Sequence, residues 1–290
     1  MHGNLEHGYS SRSFVFIGPS QLLVPMITTA DDFNPDLAVK GVLPIFDCST
    51  TRSKPCTYEH ALKNYATTVL HLPATRRGVE CARLDLFGKP YTSPSRGAHH
   101  KQNVPYYASP EDQLLALRLW MLKSNEEWKH YTLFVSNRTL REVASLERRR
   151  APSSARTVTV SWDAWAGQTR MISEIRALHH AHLSQMRCVT VEPAATQGSR
   201  RENNALCLYE FASPLQLRRE LACPKDPSDP TRGCALYGLG STEINHPDIW
   251  LKPVKTALPF RRTMSDLKVS QQDGYQMSED CIIVRSVGPK

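Results

Sequence analysis

Three histidines and a cysteine, His179-His180-x-His182 with Cys188 six positions on, come nearest to a metal-ligand cluster in this chain. Imidazole and thiolate are ligands that zinc accepts, and a structural zinc site needs four of them. Neighbouring residues on a helix point roughly 100° apart, so His179 and His180 cannot both address one ion, whereas His179 and His182 can. With Cys188 that makes three ligands and no fourth, so the stretch reads as a polar helix face and no metal is expected. His99-His100 is a weaker pair inside a long polar segment. Gly238-Leu239-Gly240-Ser241 begins like a phosphate-binding loop. It lacks the third glycine, the lysine and a following helix, so it reads as a turn. There is no G-x-S-x-G, no H-E-x-x-H and no kinase motif set. Asp31-Asp32 and Glu111-Asp112 open onto loops or element starts, not onto paired strand ends where two carboxylates would meet. No catalytic, cofactor-binding or metal residue is therefore assigned, and the chain is expected not to be an enzyme.

Two further features could serve binding. Trp162 and Trp165 stand three apart in VSWDAWAGQTRMI, Val160 to Ile172. Large aromatics where a strand gives way to a loop usually pack against a core or its rim, and that reading is preferred here to an open aromatic site. Arg148-Arg149-Arg150 run into Ala-Pro-Ser-Ser-Ala-Arg156. Cations are favoured at a helix C-terminus, so these arginines read as a solvated helix end and loop. The net charge of +8 and a pI near 9.1 permit attraction to nucleic acid or to acidic partners. Nucleic acid is the disfavoured of the two, because the arginines do not spread into a groove-tracking pattern.

The elements that would position these residues are mostly strands. The chain has 290 residues, enough to bury a large core without metals or disulfides. No apolar run approaches the roughly 20 residues of a membrane-spanning helix, and no secretory signal opens the chain. A cytoplasmic or nuclear location is expected, with all eight cysteines reduced and mostly small core residues. Short β-type runs bounded by Pro, Gly, Ser and Asp recur throughout: 13–17, 21–27, 37–48, 67–72, 81–87, 114–122, 131–135, 156–162, 186–192, 205–211, 234–239 and 281–286. Asn137 is read as the cap of a helix over 137–150, with Leu140, Val143, Ala144 and Glu147 on one face. A second helix is expected over 169–186, where Met171, Ile175, Leu178 and His182 share a face. Long polar connections fall at 88–110, 193–204 and 223–233. No point divides the chain, so 1–290 reads as a single mainly β domain of antiparallel sheets with one or two peripheral helices.

Several of these runs, taken in order, resemble the C-terminal, propeller-like region of basidiomycete fungal F-box proteins. Ser13-Phe14-Val15-Phe16 with Gln21-Leu22-Leu23-Val24 is similar to that family's SFSFL…FLV hairpin, and Val69 to Pro73 to its LHLP strand. Ser109 to Asp112 resembles the segment before the next strand, and Tyr131 to Leu140 resembles FTLFV…NRTL. Trp162-x-x-Trp165 with Thr169-Arg170 resembles W-x-x-W-G-P-x-x-T-R. Leu258-Pro259-Phe260-Arg261, then Met277 to Ile283, resembles the closing LPYR…M-x-D-E-R-I pair. Ala166-Gly167 departs from the usual Gly-Pro, and Cys281 from the usual basic residue. The resemblance implies a partial propeller and a non-enzymatic role, the capture of a protein partner for a cullin-type ubiquitin ligase. The first sixty residues show no leucine-proline start followed by amphipathic helices, so no F-box is expected in this chain. It would begin midway through the propeller-like region, without the docking module for a Skp-type adaptor. A basic module for nucleic acid or acidic partners is the alternative, and an enzyme the third reading.

Overall fold

The computed structural model describes residues 14–28, 40–49, 58–88, 112–173, 182–193, 204–212, 216–218, 235–269, 274–277 and 282–285. The fold is mainly β, built from several antiparallel sheets with no closed barrel or propeller among the described residues, consistent with a partial propeller. The first sheet holds β1 (Val15–Phe16), β2 (Gln21–Leu23), β3 (Met26–Thr28), β4 (Lys40–Asp47), β5 (Ala66–His71) and β9 (Val158–Val160). The run at 21–27 is two strands, because Val24-Pro25 interrupts it. Both halves pair with the long β4, and the Val24 N–H bonds the Pro44 carbonyl. Among the described strands only β9 runs parallel to its neighbour, β5.

The second sheet is a meander of β6 (Val79–Phe87), β7 (Leu114–Lys123) and β8 (Trp128–Ser136), closed by β10 (Arg170–Ser173) on the far side of β8. β7 is buried at six consecutive positions, Leu114 to Leu119, so both of its faces are covered there. One face carries Leu115, Leu117 and Leu119 into a core shared with Leu43, Ile45 and Leu70 of the first sheet. The opposite face carries Leu114 and Ala116, with Phe134 of β8, onto the third sheet. That sheet runs β11 (His182–Ser184), β12 (Arg187–Pro193), β13 (Asn204–Phe211), β17 (Phe260–Val269) and β14 (Ala235–Gly238). It meets the second sheet through Tyr209, Phe211 and Phe260. Two hairpins, β15 (Thr242–Ile244) with β16 (Val254–Thr256) and β18 (Gly274–Met277) with β19 (Ile282–Arg285), complete the strands. Three sheets thus stack in series, the middle one buried on both sides.

The helices correct the sequence reading in two places. Residues 137–150 do form a helix, α2, with Leu140, Val143 and Ala144 buried as expected. Its cap is Ser136, not Asn137: the Ser136 Oγ accepts from the Thr139 N–H at 3.0 Å, and Asn137 is the first helical residue. The helix expected over 169–186 does not form at its described ends, 169–173 and 182–186, while residues 174–181, with Ile175 and Leu178 of the expected face, lie outside the described residues. Its start is β10, where Met171 sits opposite Leu133, and its end is β11, where Leu183 sits opposite Cys188. Sheet pairing supplies these segments with hydrogen-bond partners and a buried face that an isolated amphipathic helix would lack. Among the described residues a further helix is instead α1 (Tyr58–Tyr65), which leads directly into β5.

Candidate functional site

The tryptophan segment is scaffold. Trp162 and Ala166 open two successive 3₁₀ turns, 162–164 and 166–168, between β9 and β10. Trp165 is only 1% exposed, and its Nε1–H donates to the His71 carbonyl at 3.2 Å. Trp162, partly buried, packs edge-on against it with ring centroids 4.9 Å apart. The packing expectation for this pair therefore holds, with Trp165 in the core and Trp162 on its rim.

Arg170, next in the same segment, is also buried. Its Nε donates to the Leu258 carbonyl at 2.7 Å and its Nη1 to Thr242 Oγ1 at 2.7 Å. Its Nη2 reaches the Gly240 and Gly238 carbonyls at 2.9 and 3.3 Å, while the guanidinium lies 5.0 Å from the centre of the Phe260 ring. Burial pulls this arginine down to about 10. The Gly238–Ser241 stretch ends β14 and bends at Gly240, and the polarity of its contacts is opposite to that of a phosphate loop. A phosphate loop offers N–H donors, whereas here carbonyls face a cation. Gly238 is required by space: a Cβ there would lie 2.2 Å from the Phe260 ring.

Of the metal-ligand candidates only His182 and Cys188 are described, and these two do not come together. His179, His180, His99, His100, Asp31, Asp32 and Glu111 lie outside the described residues. His182 and Cys188 are described and fall on opposite faces of the β11–β12 hairpin, because Cys188 shares a face with Leu183 and His182 with Val189. Among the described residues no group of three or more His, Cys, Asp or Glu side chains can hold a metal ion. Cys81, Cys188 and Cys207 are buried, free thiols. Burial pushes Cys81 and Cys207 up to about 12 and Cys188 higher still, so none is a thiolate near neutral pH. Cys207 instead takes a hydrogen bond from Arg262 Nε at 3.1 Å. Glu192 accepts from the same guanidinium and from the Tyr209 hydroxyl, the latter at 2.6 Å. Burial, then the Glu192 charge, raises the Tyr209 phenol.

The arginines of α2 divide into two roles. Arg148 Nη1 donates to the Arg156 carbonyl at 2.8 Å and Arg150 pairs with Glu147 at 2.8 Å, the helix-end arrangement the sequence suggested. Arg149, Arg150, Arg141 and Arg138 also line a groove of about 810 Å³ between the outer face of α2, Gln21 and the 164–168 turns. Leu146 sits in this groove, 41% exposed. A second groove, about 720 Å³, lies between the second and third sheets. Its floor is apolar, from Met186, Phe211, Leu217 and Leu258, and its rim holds Arg187, Arg261 and Glu210. The two grooves meet at Arg138, which lines both and pairs with Asp112 at 2.8 Å. The hairpin wall beside the second groove is held by backbone bonds from Leu114 N–H to the Gln185 carbonyl, 2.7 Å, and from Phe211 N–H to the Met186 carbonyl, 2.8 Å. Gln185 adopts φ 51° to make that tight turn.

Sequence reasoning missed this joined groove, since its residues come from segments that are far apart along the chain. It also missed an aromatic stack on the second sheet. Trp120 lies 4.5 Å from the Arg118 guanidinium and 5.5 Å from that of Arg83, and its Nε1–H donates to Asp85 at 2.9 Å. His130 stands 4.1 Å away, its basicity lowered by burial and by Arg118. The Trp120 ring is thus occupied by the protein's own cations, leaving Trp128, half exposed, as the outer member of the stack. No protein-family model, curated protein or solved structure matches the chain.

Proposed function

We propose that this protein is a non-enzymatic interaction domain that captures a protein partner through the groove joined at Arg138. It would act as the substrate-capturing part of an F-box ubiquitin-ligase receptor does. The observation that carries the reading is the composition of that groove: an apolar floor, half-buried at Met186 and Leu258, and an exposed leucine, Leu146, rimmed by arginines. Arginine and large apolar side chains in a concave site are what protein interfaces use as anchors. The resemblance to the F-box family supports the same role. Two of its matched segments meet in space, since the Thr169 carbonyl accepts from the Ala257 and Leu258 N–H groups and Arg170 donates to Leu258.

Photo-crosslinking in cells tests the proposal. A photoreactive residue at Leu146 or at Gln216, both exposed groove positions, should give discrete protein adducts that the same probe at Leu251, exposed outside both grooves, does not. Accumulation of the adducted protein when the chain is removed from the cell would assign it to a degradation pathway. Identical adducts from all three positions, or none, would overturn groove capture.

A further inference from the structure

Among the described residues, Arg138, Arg141, Arg149, Arg150, Arg187 and Arg261 line the joined groove. Against these six guanidiniums stand four carboxylates, Asp112, Glu142, Glu147 and Glu210. The arginines follow the groove from the last turn of α2, past its first turn, to the third sheet. Apolar positions fall between them, Leu146 in one arm and the Phe211–Leu258 floor in the other. From this order of charge and apolar surface, and resting on the capture reading above, we infer that the groove takes an extended acidic segment of its protein partner, with apolar residues interspersed among Asp and Glu.

Charge complementarity selects the sign of the partner. Arg187 and Arg261 are held by the part-buried Glu210 and Arg150 by Glu147, whereas the pair at Arg138 leaves that arginine able to take a partner's carboxylate. Arg138 meets Asp112 through its Nη2, and the two side chains are 50% and 43% exposed. Exposed pairs of this kind are worth about 1 kcal/mol or less, and a guanidinium has five N–H donors, so an incoming carboxylate can share or replace the internal one. Nucleic acid fits the surface less well. The four carboxylates interrupt the arginine track, and no Trp, Tyr or exposed Phe lines either arm to stack a base. A peptide places its alternate side chains into floor and rim, which an apolar floor with a charged rim requires.

Fluorescence anisotropy on the full chain tests the assignment with labelled dodecapeptides of repeated Glu-Glu-Leu, Gln-Gln-Leu and Lys-Lys-Leu and with an oligothymidylate of equal length. The Glu-Glu-Leu probe should bind most tightly and lose affinity as salt rises. Arg138→Glu and Arg149→Glu, on exposed side chains, should each weaken it about tenfold or more, with the fold checked by circular dichroism. Arg138→Gln should weaken it less. Equal binding of the Glu-Glu-Leu and Gln-Gln-Leu probes, lost in Leu146→Ser, would overturn the acidic assignment and leave capture standing. Tighter binding of oligothymidylate, abolished by the arginine variants, would overturn both. Glu-Glu-Leu binding unchanged by the charge reversals, or absent, would overturn the acidic assignment, with the crosslinking result then deciding capture by itself.

Discussion

Trp162 and Trp165 look equivalent in the sequence and are not equivalent in the fold. Trp165 fills the core between the first two sheets and satisfies its indole N–H on the His71 carbonyl. Trp162 covers it from the rim. Removing a fully buried tryptophan leaves a large cavity, so Trp165→Ala should cost about 3–5 kcal/mol of stability. Trp162→Ala, on a partly exposed ring, should cost less than half as much; urea unfolding of the two variants measures the difference. Equal losses would place both rings in the core. That the pair packs was legible from its residue types and its place after a strand. Which indole is inside was not, because the 3₁₀ turns that rotate one inward are set by contacts with β5 and with Ala257–Leu258.

At the scale of the element, caps and partners decided what local pattern left open. Ser136 and Asn137 are both good capping residues, and the sequence alone favoured Asn137. The strand β8 runs one residue further than its apolar run suggested, which makes Ser136 the last extended residue and therefore the cap. Ser136→Ala should destabilise by about 1 kcal/mol in thermal or urea unfolding, since the Thr139 N–H loses its acceptor. An unchanged midpoint would show that the side chain does not hold the first turn. The apolar stripe of α2 was readable because helix period and burial agreed. The run 169–186 misled because Met171, Ile175, Leu178 and His182 stand at helical spacing, whereas β8 and β12 offer its two described ends edges to pair with. β17 escaped notice for a similar reason: Phe260-Arg261-Arg262 begins a strand whose cations reach Glu210 and Glu192.

Across the whole molecule, the middle sheet is covered on both faces, and the same stacking buries three thiols. Cys81 lies toward the first sheet, and Cys188 and Cys207 lie toward the second from the third. A thiol ordinarily ionises near 9, but burial holds Cys81 and Cys207 at about 12. Below pH 9 the thiols are protonated in folded and unfolded chains alike, so they confer their full stability. Between about 9 and 12 the unfolded chain loses these protons and the folded chain keeps them, so stability falls as pH rises. The urea midpoint should therefore decline from pH 9 upward, and Cys81→Ala should flatten the decline. A midpoint level through this window would mean that the thiols are accessible in the native state.

The class of fold follows from the amino-acid pattern. Alternating and doubly apolar runs between Pro and Gly breaks cannot bury their faces except in sheets, and most of the strands could be placed from that pattern. It also separated scaffold from site at the Gly238–Ser241 segment and at the tryptophan pair. Tertiary structure alone decided the joined groove. Its arginines stand on α2, β12 and β17, and its floor comes from four separate segments, so only the stacking of the second and third sheets beside α2 brings them together. Local patterns record which face of an element is buried; a groove is made of what different elements leave exposed side by side, and no single stretch of chain carries that information.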